Sequence, residues 1–119
     1  MTDCRLCRAE ALEQDPKGLA KLIAFPNPVF EGHQVVMTAA HHERAEDVSP
    51  EEWQAVGILI GAMNARLWQE PGFERCYLLA IGDADDHQLH MHVVPRFEGD
   101  PPLGPHIFGP DGWIAGRSS

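Results

Sequence analysis

The stretch Gln88-Leu89-His90-Met91-His92-Val93-Val94-Pro95-Arg96 decides the fold. From Gln88 to Val94 the parity is strict: Gln88, His90, His92 and Val94 fall on one side, and Leu89, Met91 and Val93 on the other. Side chains alternate along a β-strand, so the apolar set faces a core and both imidazoles face the opposite way. Residues two apart on a strand carry Cβ atoms about 6–7 Å apart, which lets both rings address one phosphate or one metal ion. Just upstream, residues 75–81 form an apolar run of strand length, and Gly82-Asp83-Ala84-Asp85-Asp86 supplies turn chemistry between the two. Further back, residues 19–25 read as a strand stopped by Pro26 and Pro28, and residues 34–38 as a β-branched return strand. With Phe30-Glu31-Gly32-His33 as the turn, these two make a hairpin-like pair.

One long helix interrupts the strands. Ser49-Pro50-Glu51-Glu52 combines a hydroxyl N-cap, a proline at the first helical position and a glutamate that closes a capping box. Trp53, Val56, Ile60, Met63 and Leu67 then recur as one stripe of a 3.6-residue period, predicted to pack on the sheet, and Pro71-Gly72 ends the helix. Residues 1–18 read as a metal knuckle followed by a short helix or turn. Residues 97–119 hold five glycines and four prolines and read as an ordered tail laid over a surface. The expected architecture is a single α+β domain over residues 1–119, an antiparallel sheet of about five strands with one main helix.

At 119 residues the chain has the size of one domain, and 44% hydrophobic residues suffice for its core. A net charge of -9 repels a phosphate backbone, so a nucleic acid polymer is not an expected partner. No apolar run approaches the roughly 20 residues that span a bilayer, and no basic stretch with an apolar segment opens the sequence. A cytoplasmic location with no membrane partner is expected.

Seven histidines are present, four of them paired as His41-His42 and His90-x-His92. Three cysteines is an odd number, and Cys4-x-x-Cys7 has the spacing with which two thiolates grip one ion from a tight turn. Cys76, inside an apolar run, reads as a buried small hydrophobe.

His90-Met91-His92-Val93-Val94-Pro95-Arg96 resembles the histidine triad family of nucleotide hydrolases and transferases, whose motif is His-x-His-x-His followed by two apolar residues on a strand. The resemblance extends to Cys4-x-x-Cys7, Phe25-Pro26-Asn27, Gly32-His33-Gln34-Val35-Val36 leading to His41, and the Ser-Pro-Glu-Glu helix start. Two departures stand out: Gln88 replaces the first histidine, as in a bacterial branch with Gln-Leu-His-x-His, and Thr38-Ala39-Ala40 precedes His41.

The resemblance implies the histidine triad fold and a small-molecule nucleotide as partner. It implies His90 as the nucleophile that attacks the α-phosphorus of a purine nucleotide conjugate or dinucleoside polyphosphate, giving a covalent nucleotidyl-histidine. His92 would donate to the phosphate oxygens, and Gln88 would offer them an amide donor without a titratable proton. No metal is implied at the reacting histidine. Asn27 would lie near the ribose, Phe25 would wall the nucleoside pocket, and Arg96 would contact phosphate or cap the strand. His106, in the tail, reads as a surface residue or a group that closes over the site.

Structural zinc is a further implication, with Cys4, Cys7 and His41 as ligands. The fourth family ligand falls at Gln88, a poor zinc donor, so His42 or His87 would substitute. The resemblance also implies a homodimer, paired through the helix and an edge strand. Two other readings stand beside the hydrolase: a non-catalytic nucleotide-binding module of the same fold, and a metal enzyme with His90 and His92 as ligands, which the helix at residues 49–69 argues against.

Overall fold

The computed structural model describes residues 4–25, 32–80 and 88–101. In chain order they form α1 (Arg5–Arg8), β1 (Glu13–Gln14), β2 (Ala20–Ala24), β3 (Gln34–Thr38), a 3-10 turn (Ala45–Asp47), α2 (Pro50–Leu67), β4 (Phe73–Leu79) and β5 (His90–Phe97). The strands make one sheet in the order β1-β2-β3-β5-β4. Every pairing in it is antiparallel. The expected α+β architecture of five strands and one main helix is what forms. No helix among the described residues is long and apolar enough to cross a membrane.

The local signals act where the sequence places them. Ser49 Oγ accepts from Glu52 N at 3.1 Å, while Glu52 Oε1 accepts from Ser49 N at 2.9 Å, so two N–H groups with no helical partner are satisfied reciprocally. The buried stripe of α2 is Ala55, Val56, Leu59 and Met63, rotated from the predicted one. Trp53 is 42% exposed, and Ile60 and Leu67 only flank the core. The small side chain of Ala55 lets the helix approach the sheet on that side. At the far end, Arg66 Nη2 reaches Glu13 Oε1 at 2.8 Å, which ties the last helical turn to β1.

The sheet is covered on both faces. Ala20, Leu22, Val36 and Val93 pack under α2, with Met91 alongside. The other face carries Ile23, Phe25, Val35 and Met37, and the N-terminal Cys4 and Leu6 lie against it. Lys21, itself buried, fastens that segment by donating from Nζ to the carbonyls of Cys7 (3.0 Å) and Ala9 (3.1 Å).

Strand β5 begins at His90, so Gln88 and Leu89 precede it rather than belong to it, and it runs on through Pro95 to Phe97. Proline inside a central strand would normally break a ladder. Here β3 starts at Gln34, opposite Val93, so Pro95 lies beyond the end of that neighbour. Gly32 passes close by with φ +86°, and a Cβ there would stand 3.3 Å from Pro95 Cγ.

Candidate active site and metal cluster

Register puts His90 opposite Met37 and His92 opposite Val35. Both histidines therefore project from the face away from α2, as the parity predicts. That face is not the solvated one: His90 is 6% exposed and His92 fully buried. Phe25 and His33 pack against His92, and the N-terminal segment that Lys21 holds lies over the same face.

His90 Nδ1 lies 2.7 Å from the backbone carbonyl of Gln88. A carbonyl oxygen only accepts, so Nδ1 carries the proton and the lone pair of the neutral ring is on Nε2. Nε2 is buried and has no hydrogen-bond partner among the described residues. An unpaired buried acceptor costs about 1–3 kcal/mol, so its retention points to a use. A small apolar cavity of about 50 Å³ lies on the opposite, helix-covered side of the sheet at this point, lined in part by Val48, Trp53, Val56, Leu89 and Met91.

His92 meets His90 edge to face, with ring centroids 4.8 Å apart. On its other side His92 Nδ1 is 3.0 Å from His33 Nε2, and both rings are buried. Phe25 packs against the two of them, at centroid separations of 4.7 Å from His33 and 4.9 Å from His92. Sequence reasoning quoted His33 without giving it a role. The signal was its parity with Val35 across the pleat from His92, which becomes informative only once the β3–β5 register is known.

The other nominated residues lie elsewhere. The Gln88 amide is engaged by the segment after β3: Nε2 donates to Thr38 O (3.2 Å), Thr38 Oγ1 (3.1 Å) and Ala40 O (3.1 Å), and Oε1 accepts from His42 N (2.8 Å). Arg96 is six residues beyond His90, about 20 Å along the strand. Its guanidinium donates to Glu74 Oε1 (3.1 Å), Pro101 O (2.7 Å) and Asp100 O (2.8 Å), so it closes the turn after β5. Asn27, His87, His106 and residues 102–119 lie outside the described residues. Cys76 is half-buried against the helix-side core, and burial pushes its thiol up.

A second cluster forms where the N-terminal turn meets the segment after β3. Cys4, Cys7 and His41 bring their donor atoms within 4.8 Å of one another. Cys4 caps α1, accepting from Cys7 N at 3.3 Å, and Cys7 Sγ stands 3.0 Å from His41 Nδ1. His41 Nε2 faces Glu43 Oε2 at 3.0 Å, and that carboxylate raises the imidazole's pKa. Burial and the adjacent Cys4 sulfur push Cys7 up to about 11. For Cys4 burial acts upward, but hydrogen bonds from Cys7, Leu6 and His41 outweigh it and hold this thiol below its ordinary value. Two sulfurs and an imidazole oriented by a carboxylate are a donor set that fits zinc. His42 does not join them, because its ring binds Glu52 Oε2 at 2.9 Å.

No family model matches the sequence, and no curated protein matches it. Solved structures do. A HIT family protein from Bacillus anthracis is 16% identical with a TM-score of 0.67, covering 82% of this chain and 76% of that one. The diadenosine triphosphate hydrolase of Plasmodium falciparum is 17% identical with a TM-score of 0.56, over 77% and 73% of the two chains. A zinc-bound histidine triad family protein from Mycobacterium smegmatis is 23% identical with a TM-score of 0.52, over 82% and 77%. At these identities the likeness speaks for architecture, and it agrees with the five-stranded antiparallel sheet and single long helix: this chain has the histidine triad fold.

Proposed function

We propose that the chain is a nucleotide hydrolase or nucleotidyl transferase acting at the α-phosphate of a purine nucleotide conjugate or dinucleoside polyphosphate, with His90 as nucleophile. The observation that carries this reading is the state of the His90 ring, with Nδ1 locked as a donor on Gln88 O and Nε2 left with an unshared lone pair. The Plasmodium neighbour's activity on diadenosine triphosphate supports the choice of substrate class.

In the first step Nε2 forms a bond to the α-phosphorus as the bond from phosphorus to the leaving oxygen or nitrogen breaks. The leaving group departs with that electron pair and takes up a proton. Water then attacks the same phosphorus, the phosphorus–nitrogen bond breaks, and its electron pair returns to Nε2, releasing a nucleoside monophosphate and a proton. His92, whose Nδ1 meets His33 Nε2, would donate to the phosphate oxygens as charge develops on them. Nε2 is shielded from solvent, so phosphate reaches it only after the covering atoms move.

The test is intact-mass spectrometry of the full chain after brief exposure to a nucleoside phosphoramidate or a diadenosine polyphosphate. A nucleotide adduct in the wild type that disappears in His90→Ala is expected. Tight binding with neither adduct nor product would refute the hydrolase and leave a nucleotide-binding module.

Two further assignments belong to this reading. Cys4, Cys7 and His41 hold a structural zinc ion, which pins the N-terminal turn to the segment after β3. The chain also forms a homodimer through α2 and the edge strand β4, a surface on which Trp68 and Leu78 are exposed. A monomeric mass at micromolar concentration in solution scattering would contradict the dimer.

A further inference from the structure

The corner of the sulfur–imidazole cluster facing β5 is filled by Gln88, which is 1% exposed. Its Oε1 lies 4.0 Å from Cys7 Sγ. Three donors, Cys4, Cys7 and His41, already converge there, and a zinc-type ion bound by soft thiolates takes four in a tetrahedron. Ligand bonds of about 2.3 Å to sulfur and 2.1 Å to oxygen at that geometry separate the two ligand atoms by about 3.6 Å. The gap from Gln88 Oε1 to Cys7 Sγ therefore closes with a shift of a few tenths of an ångström.

The orientation of the amide is dictated by its neighbours. Nε2 points at two carbonyl oxygens, of Thr38 and Ala40, and at Thr38 Oγ1, while Oε1 receives the His42 N–H at 2.8 Å. Turning the amide over would set its oxygen against two carbonyls and its NH₂ against an N–H group. Oε1 thus stays on the sulfur side. One lone pair accepts the His42 N–H and the other faces the Cys7 thiol at 4.0 Å, whose proton an incoming ion would displace.

We propose that Gln88 Oε1 is the fourth donor of a metal site completed by Cys4, Cys7 and His41. A neutral amide oxygen takes the place that a histidine would otherwise fill. This stands apart from the reading of His90, because it is tested by metal binding with no nucleotide present. An amide oxygen is a harder and weaker donor to zinc than imidazole. Affinity should therefore rank Gln88→His above wild type and wild type above Gln88→Ala, the last step being on the order of 10–100-fold, as when a supporting partner of a metal is removed.

The probe is cadmium-113 alone, added to full-length wild-type protein carrying carbon-13 at the glutamine side-chain carbonyls. Occupancy is followed through the thiolate-to-metal absorption band. The Gln88 carbonyl carbon, recognised by its proximity to the His42 amide proton, should shift in step with that band and show coupling to the metal nucleus. Saturation of the band with no change at Gln88 would overturn the proposal, as would the absence of any such band. Chelator competition on Gln88→Ala and Gln88→His supplies the second reading, and equal affinities for all three proteins would also overturn it. The cadmium measurement uses the wild type, so a misfolded variant does not decide the outcome.

Discussion

Gln88→Met, studied with chelator present so that no metal contributes, separates two roles for this residue. Methionine keeps the length of the side chain and removes its hydrogen bonds. The substitution deletes donors to Thr38 O, Thr38 Oγ1 and Ala40 O and strands the His42 N–H. Ala40 is exposed, so its carbonyl regains water, while Thr38 is buried and His42 half-buried. Losing two well-formed bonds at about 1 kcal/mol each, and leaving one donor unpaired at a further 1–3 kcal/mol, gives a net cost of about 3 kcal/mol, with roughly 1 kcal/mol recovered from the apolar side chain. For a chain of this length, at about 4 °C per kcal/mol, Tm should drop by roughly 8–12 °C. Urea unfolding followed by circular dichroism would measure the loss as a lower midpoint at unchanged slope. A change below about 1 kcal/mol, together with abolished adduct formation on a folded protein, would refute the reasoning. That result would mean the amide serves phosphate rather than the backbone around residues 38–42.

Three other outcomes follow from the same geometry. His33→Phe keeps the packing on Phe25 but removes the 3.0 Å contact to His92, so kcat should fall on the order of 100-fold with KM little changed; an unaltered kcat would exclude His33 from positioning His92. Burial acts upward on the Asp15 carboxyl, but N–H groups of Ala20, Lys17 and Leu19 outweigh it and hold its pKa below the ordinary value. Its stabilisation is therefore present above the unfolded value of about 3.9 and lost as pH falls through the lower folded one. Asp15→Asn should be less stable than wild type by about 1–3 kcal/mol at pH 7, with the gap narrowing in acid, and a gap independent of pH from 7 to 2 would contradict this. Finally, zinc at a hundred times its dissociation constant should add about 2.7 kcal/mol to stability. Cys7→Ser should abolish that gain, and a gain that persists in the variant would place the ion elsewhere.

Much of the fold was legible because its signals are local. The capping box of α2 needs only Ser49, Pro50 and Glu52, and it forms as read. Strand β3 spans the predicted residues, and β2 falls within its predicted run. Strand β1 escaped notice because a two-residue element has no period to detect. The rotation of the α2 stripe was likewise hidden, since Trp53 and Val56 both suit an apolar face and only docking on the sheet decides that Ala55 and Leu59 go inside. Arg96 carried a phosphate-binding character on paper, and three oxygens of Glu74, Asp100 and Pro101 take it up in the fold.

By itself the amino-acid order determined that His90 and His92 share one face of a strand, because a pleat with period two follows from backbone geometry. It also determined the long helix and the turn that brings Cys4 and Cys7 together, each written within a few neighbouring residues. Only the tertiary structure decided that this face is covered, that Nε2 of His90 is the nitrogen left unpaired, and that the Gln88 amide turns toward His42 and Cys7, which are 46 and 81 positions away. Such contacts depend on strand register and on the path of the N-terminal segment over the sheet, and neither leaves a periodic trace in the sequence.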